Sequence, residues 1–504
     1  MGIIVRQGLK YSTVAYLGVL IGAVNTIVVF PKILSPEQYG LMRLLQENGL
    51  FIAAFVQLGA ANIADKFIPV FRTEDKTNNG FLFFLLIFPL AGFLLFCLLF
   101  LAFKNIWLEV YQEKSPAVNT YFYYFIPLVF FMMYQLILEA YSRVHLRIVV
   151  PGLFRDVVLK LITLGFILLY SFQLITFHQF LLSIIATYGI ITLLLMAYLY
   201  NLKVLHIKPR LDFLTGKLLK EMGIYGAFIL LGGAATLIIT KIDFLMLGSL
   251  AGTREVAIYT IAFFMGTIIE IPRRAIAQIS TPILSQAWQQ NDLDKIEDIY
   301  KKSAINQLVI GAFCFLGIWC NADAIFNIIP NGEVYRAGKY VILFIGAARL
   351  FDMATGVNGE IILQSKYYRF NLISVVFLAV LIVVTNYIFI PLYGINGAAF
   401  GTSLSVFLYN ILKYVFLWIK FRMQPFNIKT VIVVLIMAVT FFAASLVPAP
   451  EDEIVPTLLN ILFRSAVITG LFVGFTYVFQ VSEDANNLAK LGVDRIKAFM
   501  KKTA

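Results

Sequence analysis

Glu270, Arg273 and Arg274 flank Pro272 inside a long, otherwise apolar run. Ionisable side chains in such a run are costly unless they line a polar path or pair with one another. Proline withholds a backbone donor and crowds the turn before it, so a helix should bend here and leave a carbonyl unpaired. A bend carrying two guanidinium groups suits an anion, because Arg holds phosphate through a planar fork of donors. Arg43, Lys241 and Arg349 lie in other apolar runs, and convergence of these five residues would make a cationic, anion-binding cavity. The competing reading puts Arg273 and Arg274 at a membrane edge, where they only follow the usual bias of basic residues toward one side.

The same apolar runs also hold Glu47, Glu139, Asp156, Lys160, Asp243, Asp352, Glu360, Lys413 and Arg464. Arg43 and Glu47 are four apart, as are Asp156 and Lys160, a spacing that permits ion pairs on one helical face. Lys241 and Asp243 are two apart and should point to different sides. Lys160, Lys413 and Arg464 read as snorkelling or locally paired. His145, His178 and His206 form no metal-binding pattern, and no phosphate-cradling Gly-Lys loop is present. Cys97, Cys314 and Cys320 lack the spacing of a metal or redox motif. The sequence therefore predicts neither an enzyme nor a cofactor.

The elements that position these residues must be membrane helices. Of 504 residues, 60% are hydrophobic and 13% charged, against about 25% charged in soluble chains. The net charge of +12 does not point to nucleic acid, since the basic residues sit in short connections rather than on one soluble face. Windows able to cross about 30 Å of hydrocarbon centre on 11–31, 40–63, 80–103, 118–142, 151–171, 178–200, 223–248, 256–281, 304–320, 340–363, 371–390, 397–419, 430–447 and 458–480. The fold class is all-α and polytopic, with about fourteen crossings. Alternating connections then carry 26 of the 40 Lys and Arg on one side and six on the other, leaving eight inside the spans. That split predicts both termini in the cytoplasm. The first window is too long for a signal peptide core and reads as an uncleaved span.

The basic connection around 201–222 divides the chain into two six-helix halves of the same orientation, a parallel repeat, followed by two more helices. The expected organisation is a first lobe over 1–205, a second over 206–425, a helix pair over 426–482 and a basic cytoplasmic tail over 483–504.

Three stretches carry a family resemblance. Lys241-Ile242-Asp243-Phe244-Leu245-Met246-Leu247-Gly248, followed by Glu255-Val256-Ala257-Ile258-Tyr259, resembles the seventh and eighth helices of polysaccharide flippases in the multidrug, oligosaccharidyl-lipid and polysaccharide (MOP) superfamily. Pro391-Leu392-Tyr393-Gly394-Ile395-Asn396-Gly397-Ala398-Ala399-Phe400-Gly401-Thr402 is similar to that family's turn between helices eleven and twelve. The opening Phe30-Pro31-Lys32-Ile33-Leu34-Ser35-Pro36-Glu37-Gln38-Tyr39-Gly40 is also typical of the family. The resemblance implies two lobes alternating their opening and moving a polyprenyl-pyrophosphate-linked oligosaccharide from the cytoplasmic to the outer leaflet for surface polysaccharide. The last two helices would help form a groove for the lipid tail. It implies a bacterial inner-membrane protein, a monomer, with lipid-linked oligosaccharide and membrane lipids as partners and polymerase or assembly proteins beside it.

In the related lipid II flippases a helix-seven aspartate joins residues of helices eleven and twelve in a sodium site, which Asp243, Asn386 and Thr402 would match by spacing. Asn386 stands where an acidic residue is expected and Ile382 where an amide is expected. Proton coupling through Glu47, Glu139 or Asp243 is the other expectation. A multidrug cation antiporter of the same superfamily and a membrane glycan polymerase or ligase are the alternative functions. A cationic cavity disfavours the first, and the short 448–456 connection disfavours the second.

Overall fold

The computed structural model describes residues 3–73, 77–210, 213–448, 453–482 and 486, and every element among them is helical. The basic tail, with Lys490, Arg495, Lys497, Lys501 and Lys502, lies outside the described residues. Ten helices are long and apolar enough to cross a bilayer, and twelve spans result when each of two bent pairs counts as one. The protein is therefore a multi-pass membrane protein. The count differs from fourteen in two places. The helical stretch 149–171 carries Arg155, Asp156 and Lys160 and is not among the ten. Tyr368–Phe421 counts once, although 54 residues of straight helix would run about 80 Å. It is in fact a hairpin, because the hydroxyls of Thr385 and Ser405 lie 3.1 Å apart.

The sequence explains that reversal. Pro391 removes a backbone donor, and Gly394 adopts φ 56° and ψ −131°, a conformation that a side chain would disfavour. The two arms then pack closely. A Cβ at Gly397 would lie 2.0 Å from the Phe389 carbonyl oxygen, and one at Gly401 would lie 3.1 Å from the Asn386 amide oxygen. The Ser35-Pro36-Glu37-Gln38 stretch starts a helix for an equally local reason. The Gln38 backbone N–H donates to Ser35 Oγ at 3.2 Å while Ser35 N–H donates to Gln38 Oε1 at 3.1 Å, and Pro36 occupies the first turn.

The chain forms two compact units, Met1–Ala257 and Ile258–Ala504. In the first, helix Gly216–Leu250 packs on the broken helix 36–71 through backbone-to-backbone approaches. A Cβ on Gly226 would lie 2.9 Å from the Leu58 carbonyl oxygen, and just beyond this helix one on Gly40 would lie 1.7 Å from the carbonyl oxygen of Thr253, the first residue of helix Thr253–Ile268. Ser115 Oγ locks the end of this contact by donating to the Gly248 carbonyl at 2.6 Å. The first compact unit thus includes helix Gly216–Leu250 and ends at Ala257.

In the second unit the two last helices, Ile428–Ser445 and Ile454–Val478, pack against Leu293–Trp319. Val433, Ile436, Ile468 and Phe472 close a buried apolar cluster with Leu308, Ala312 and Leu316. Arg464 does not snorkel. Its guanidinium donates to the carbonyls of Cys320, Val447 and Pro448 at 2.8, 3.2 and 2.9 Å.

Gly40→Ala places a methyl group against a backbone carbonyl that has no room to retreat. It should destabilise the detergent-purified protein by about 1–3 kcal/mol, read as a lowered melting temperature. Gly165→Ala, with nothing within 4 Å of the added carbon, should stay within about 0.5 kcal/mol. Equal melting of the two variants would contradict the close approach.

Candidate functional site

The first unit's charge cluster begins about two turns into helix Pro36–Val56. Arg43 and Glu47 share a face, and Arg43 Nη2 lies 2.5 Å from Glu47 Oε1. The other carboxylate oxygen lies 2.5 Å from Lys241 Nζ, contributed by helix Gly216–Leu250. The glycine-mediated contact between these helices is what brings Lys241 within reach. The Glu47 side chain is only 7% exposed, whereas Arg43 and Lys241 keep 25% and 23%. The anion is sheathed, and the two cations retain a face open to a further anion.

A second carboxylate, Glu139, accepts from Arg155 Nη1 and Gln135 Nε2, both at 2.9 Å. Arg155 also holds Asp156 through two contacts of 3.0 Å and donates to the Tyr11 hydroxyl at 2.7 Å. The Asp156–Lys160 pairing expected from four-residue spacing gives way to these contacts. Residues Phe154–Val158 form a π-turn, whose five-residue register rotates Asp156 away from the face an α-helix would give it. Lys160 instead donates to the Gly18 carbonyl at 2.6 Å, which is local pairing.

The second unit assembles its cluster at two helix breaks. Helices Thr253–Ile268 and Ile271–Gln289 meet at 46°, at the proline bend read from the sequence, and Gly332–Ala354 and Asn358–Gln364 meet at 51°. Arg273 Nε lies 2.8 Å from Asp352 Oδ2, and its Nη2 lies 3.6 Å from Glu360 Oε1. One guanidinium thus joins carboxylates from both sides of the second break. Arg349 Nη1 lies 2.9 Å from Glu270 Oε2, and Arg274 Nε lies 3.8 Å from Glu270 Oε1. Arg273 is largely enclosed, while the Arg274 side chain is 70% exposed.

Asn410, which the sequence reading passed over, braces the second break. Its carbonyl accepts from Thr355 Oγ1 and Asn358 Nδ2, both at 3.2 Å. Its only signal was an uncharged amide in an apolar run. Lys413 is 2% exposed, with its ammonium 4.0 Å above the Tyr409 ring, so it is locally paired and does not snorkel.

The five predicted cations are therefore not free. Arg43 and Lys241 share Glu47, and Arg273, Arg274 and Arg349 are engaged by Glu270, Asp352 and Glu360. Two cations face one carboxylate in the first cluster. In the second, Arg273, Arg274 and Arg349 face three, and Lys413 adds a fourth cation, its Nζ 3.7 Å from where a Cβ on Gly359, next to Glu360, would lie. Each cluster carries one positive charge more than its carboxylates cancel.

Among the ion-coupling candidates, Asp243 is buried in helix Gly216–Leu250. Asn386 and Thr402 are buried on opposite arms of the Gly394 hairpin in the second unit. No group of three or more His, Cys, Asp or Glu able to hold a metal ion occurs among the described residues.

Comparisons with known proteins agree with this architecture. A probable low-salt glycan biosynthesis flippase, Agl15 of Haloferax volcanii, is 24% identical over 231 residues, covering 45% of this chain and 48% of its own length. The chain spans about half the length of the curated relatives it matches. The lipid II flippase MurJ in an inward closed conformation superposes with a TM-score of 0.74 at 13% identity, covering 94% of this chain and 98% of its own. An inward-facing MATE-family multidrug resistance transporter of the MOP superfamily gives 0.62 at 15% identity, covering 81% of this chain and 96% of its own. The fold is thus that of MOP-superfamily transporters. The family model for polysaccharide biosynthesis proteins matches residues 4–288, more than half of the chain, and the chain belongs to that family.

Proposed function

We propose that the protein is a flippase that carries a polyprenyl-pyrophosphate-linked oligosaccharide from the cytoplasmic to the outer leaflet by alternating access. The observation that carries this reading is the Glu47 carboxylate clasped by Arg43 and Lys241, in a chain of the polysaccharide biosynthesis family. Without ligand, the carboxylate pairs with both cations and cancels one of their two charges, which lowers the cost of holding them in a membrane. A pyrophosphate carries more charge and more acceptor oxygens than a carboxylate. It can draw one cation away while the other stays on the carboxylate, and its release restores both carboxylate contacts. Arg273 and Arg349 offer the same exchange in the second unit, against Asp352, Glu360 and Glu270.

A multidrug cation antiporter would need the opposite balance, carboxylates in excess of cations. The positive excess of each cluster favours an anionic cargo. Fourteen crossings, counting the Gly394 hairpin as two spans and 149–171 as another, fit a cytoplasmic location of both termini, and the bacterial inner membrane is the proposed setting. Sodium coupling, with Asp243, Asn386 and Thr402 as candidates, and proton coupling through Glu47, Glu139 or Asp243 are the two coupling schemes.

In cells lacking the chain, the double variant Arg43→Gln, Lys241→Gln should restore less than a tenth of surface glycan. Each lost charge-assisted contact is worth about 1.5–3 kcal/mol. Normal surface glycan from a variant that inserts at wild-type level would sink the anion-recognition role. Glu47→Gln removes the competing anion, so a soluble prenyl pyrophosphate should bind the purified variant several-fold more tightly while turnover falls. Weaker binding would contradict the exchange scheme. Arg273→Ala together with Arg274→Ala should abolish export with insertion retained, read from the accumulated lipid-linked intermediate.

A further inference from the structure

The second unit holds a cavity of about 520 Å³ that the transport scheme does not use, within the size range of small-ligand sites. Its charged lining residues are Asp323, Arg336, Lys339 and Arg464, with Trp319 and Phe441 on the apolar side. Among the described residues it gathers three cations against one carboxylate.

Its position makes that concentration unusual. Arg336 and Lys339 lie on the cation-poor side of the charge map and are two of only six basic residues there. The distribution of Lys and Arg disfavours cations on that side, so topology gives no reason for a third one to converge on them.

The cations also differ in how they are held. Lys339 Nζ pairs with Asp323 Oδ2 at 2.7 Å, and Arg336 donates to the Asn327 side chain. Arg464 is 6% exposed and, among the described residues, donates to main-chain carbonyls only, those of Cys320, Val447 and Pro448. Its Nε has no hydrogen-bond partner. Carbonyl dipoles orient a guanidinium but do not cancel its charge. A buried cation without a counter-ion is expensive, and an anion lodged beside it relieves that cost. The apolar wall, with Phe441 from the helix Ile428–Ser445, suits a ligand whose remainder lies in lipid.

From this we infer that the cavity is a binding site for the phosphate-bearing headgroup of a membrane lipid, recognised by Arg336, Lys339 and Arg464. Asp323 acts as the internal competitor that occupies Lys339 when the headgroup is absent. Two sources share this chemistry, a bilayer phospholipid and a polyprenyl pyrophosphate. The inference does not depend on transport, and the test below measures binding alone.

The full chain, purified in a zwitterionic detergent, is titrated separately with phosphatidylglycerol and with geranylgeranyl pyrophosphate. The wild type should bind at least one of them. Arg336→Gln with Lys339→Gln, both away from the buried contacts of Arg464, should weaken that binding at least tenfold. Asp323→Asn should tighten it about threefold or more, a gain that misfolding cannot produce. Binding of phosphatidylglycerol alone identifies a structural phospholipid site, binding of the pyrophosphate alone a lodging place for the carrier lipid, and binding of both a general phosphate site. The inference is overturned if neither ligand binds, or if the affinity is unmoved by both the double variant and Asp323→Asn.

Discussion

A carboxylate in a hydrocarbon layer must be clasped by cations or not be there at all, and Glu47 between Arg43 and Lys241 is where this constraint shapes the first unit. Meeting it requires a lysine from a helix almost 200 residues further along the chain to stand within 2.5 Å. That in turn requires the helix axes to approach closely, which the glycines at 226 and 248 allow. The second unit meets the same constraint differently. It breaks two helices, at Glu270 and after Ala354, so that carboxylates on both sides of a break can reach one guanidinium. In each unit the charges are what the packing must serve, and the apolar residues around them fill the remaining volume.

Much of this was legible in the sequence because its causes are local. The Ser35-Pro36-Glu37-Gln38 start, the Pro272 bend and the Pro391–Gly394 reversal each depend on a few adjacent residues. The Arg43–Glu47 pair follows from regular helical spacing, and the structure has it. The Asp156–Lys160 pair follows from the same rule and fails, because a π-turn over Phe154–Val158 breaks the register that the rule assumes. Periodicity carries no trace of a single inserted residue. Partners far apart in sequence were the other loss. Nothing near Arg273 announces Asp352 and Glu360.

The charge balance changes the meaning of the candidate site. Read as a set of five cations, it is a static basin for an anion. With their carboxylates in place, the cations form closed pairs with one charge to spare in each unit. Such an arrangement tolerates an empty site in a low-dielectric layer and still leaves cations that an anion can capture. An excess of one charge suits a ligand that must also be released. A large uncompensated excess would hold a pyrophosphate too tightly for turnover, and a carboxylate excess would exclude it.

The central claim concerns movement of a lipid-linked anion between leaflets, and leaflet-resolved transport in a reconstituted membrane tests it most directly. The purified chain is placed in liposomes carrying a polyprenyl-pyrophosphate-linked oligosaccharide with a fluorescent sugar, and a membrane-impermeant quencher reports the exposed fraction over time. The account predicts that the protein exposes the inner-leaflet pool to the quencher much faster than protein-free liposomes do. A pool that stays protected, in liposomes where the same protein moves an organic cation, would contradict it.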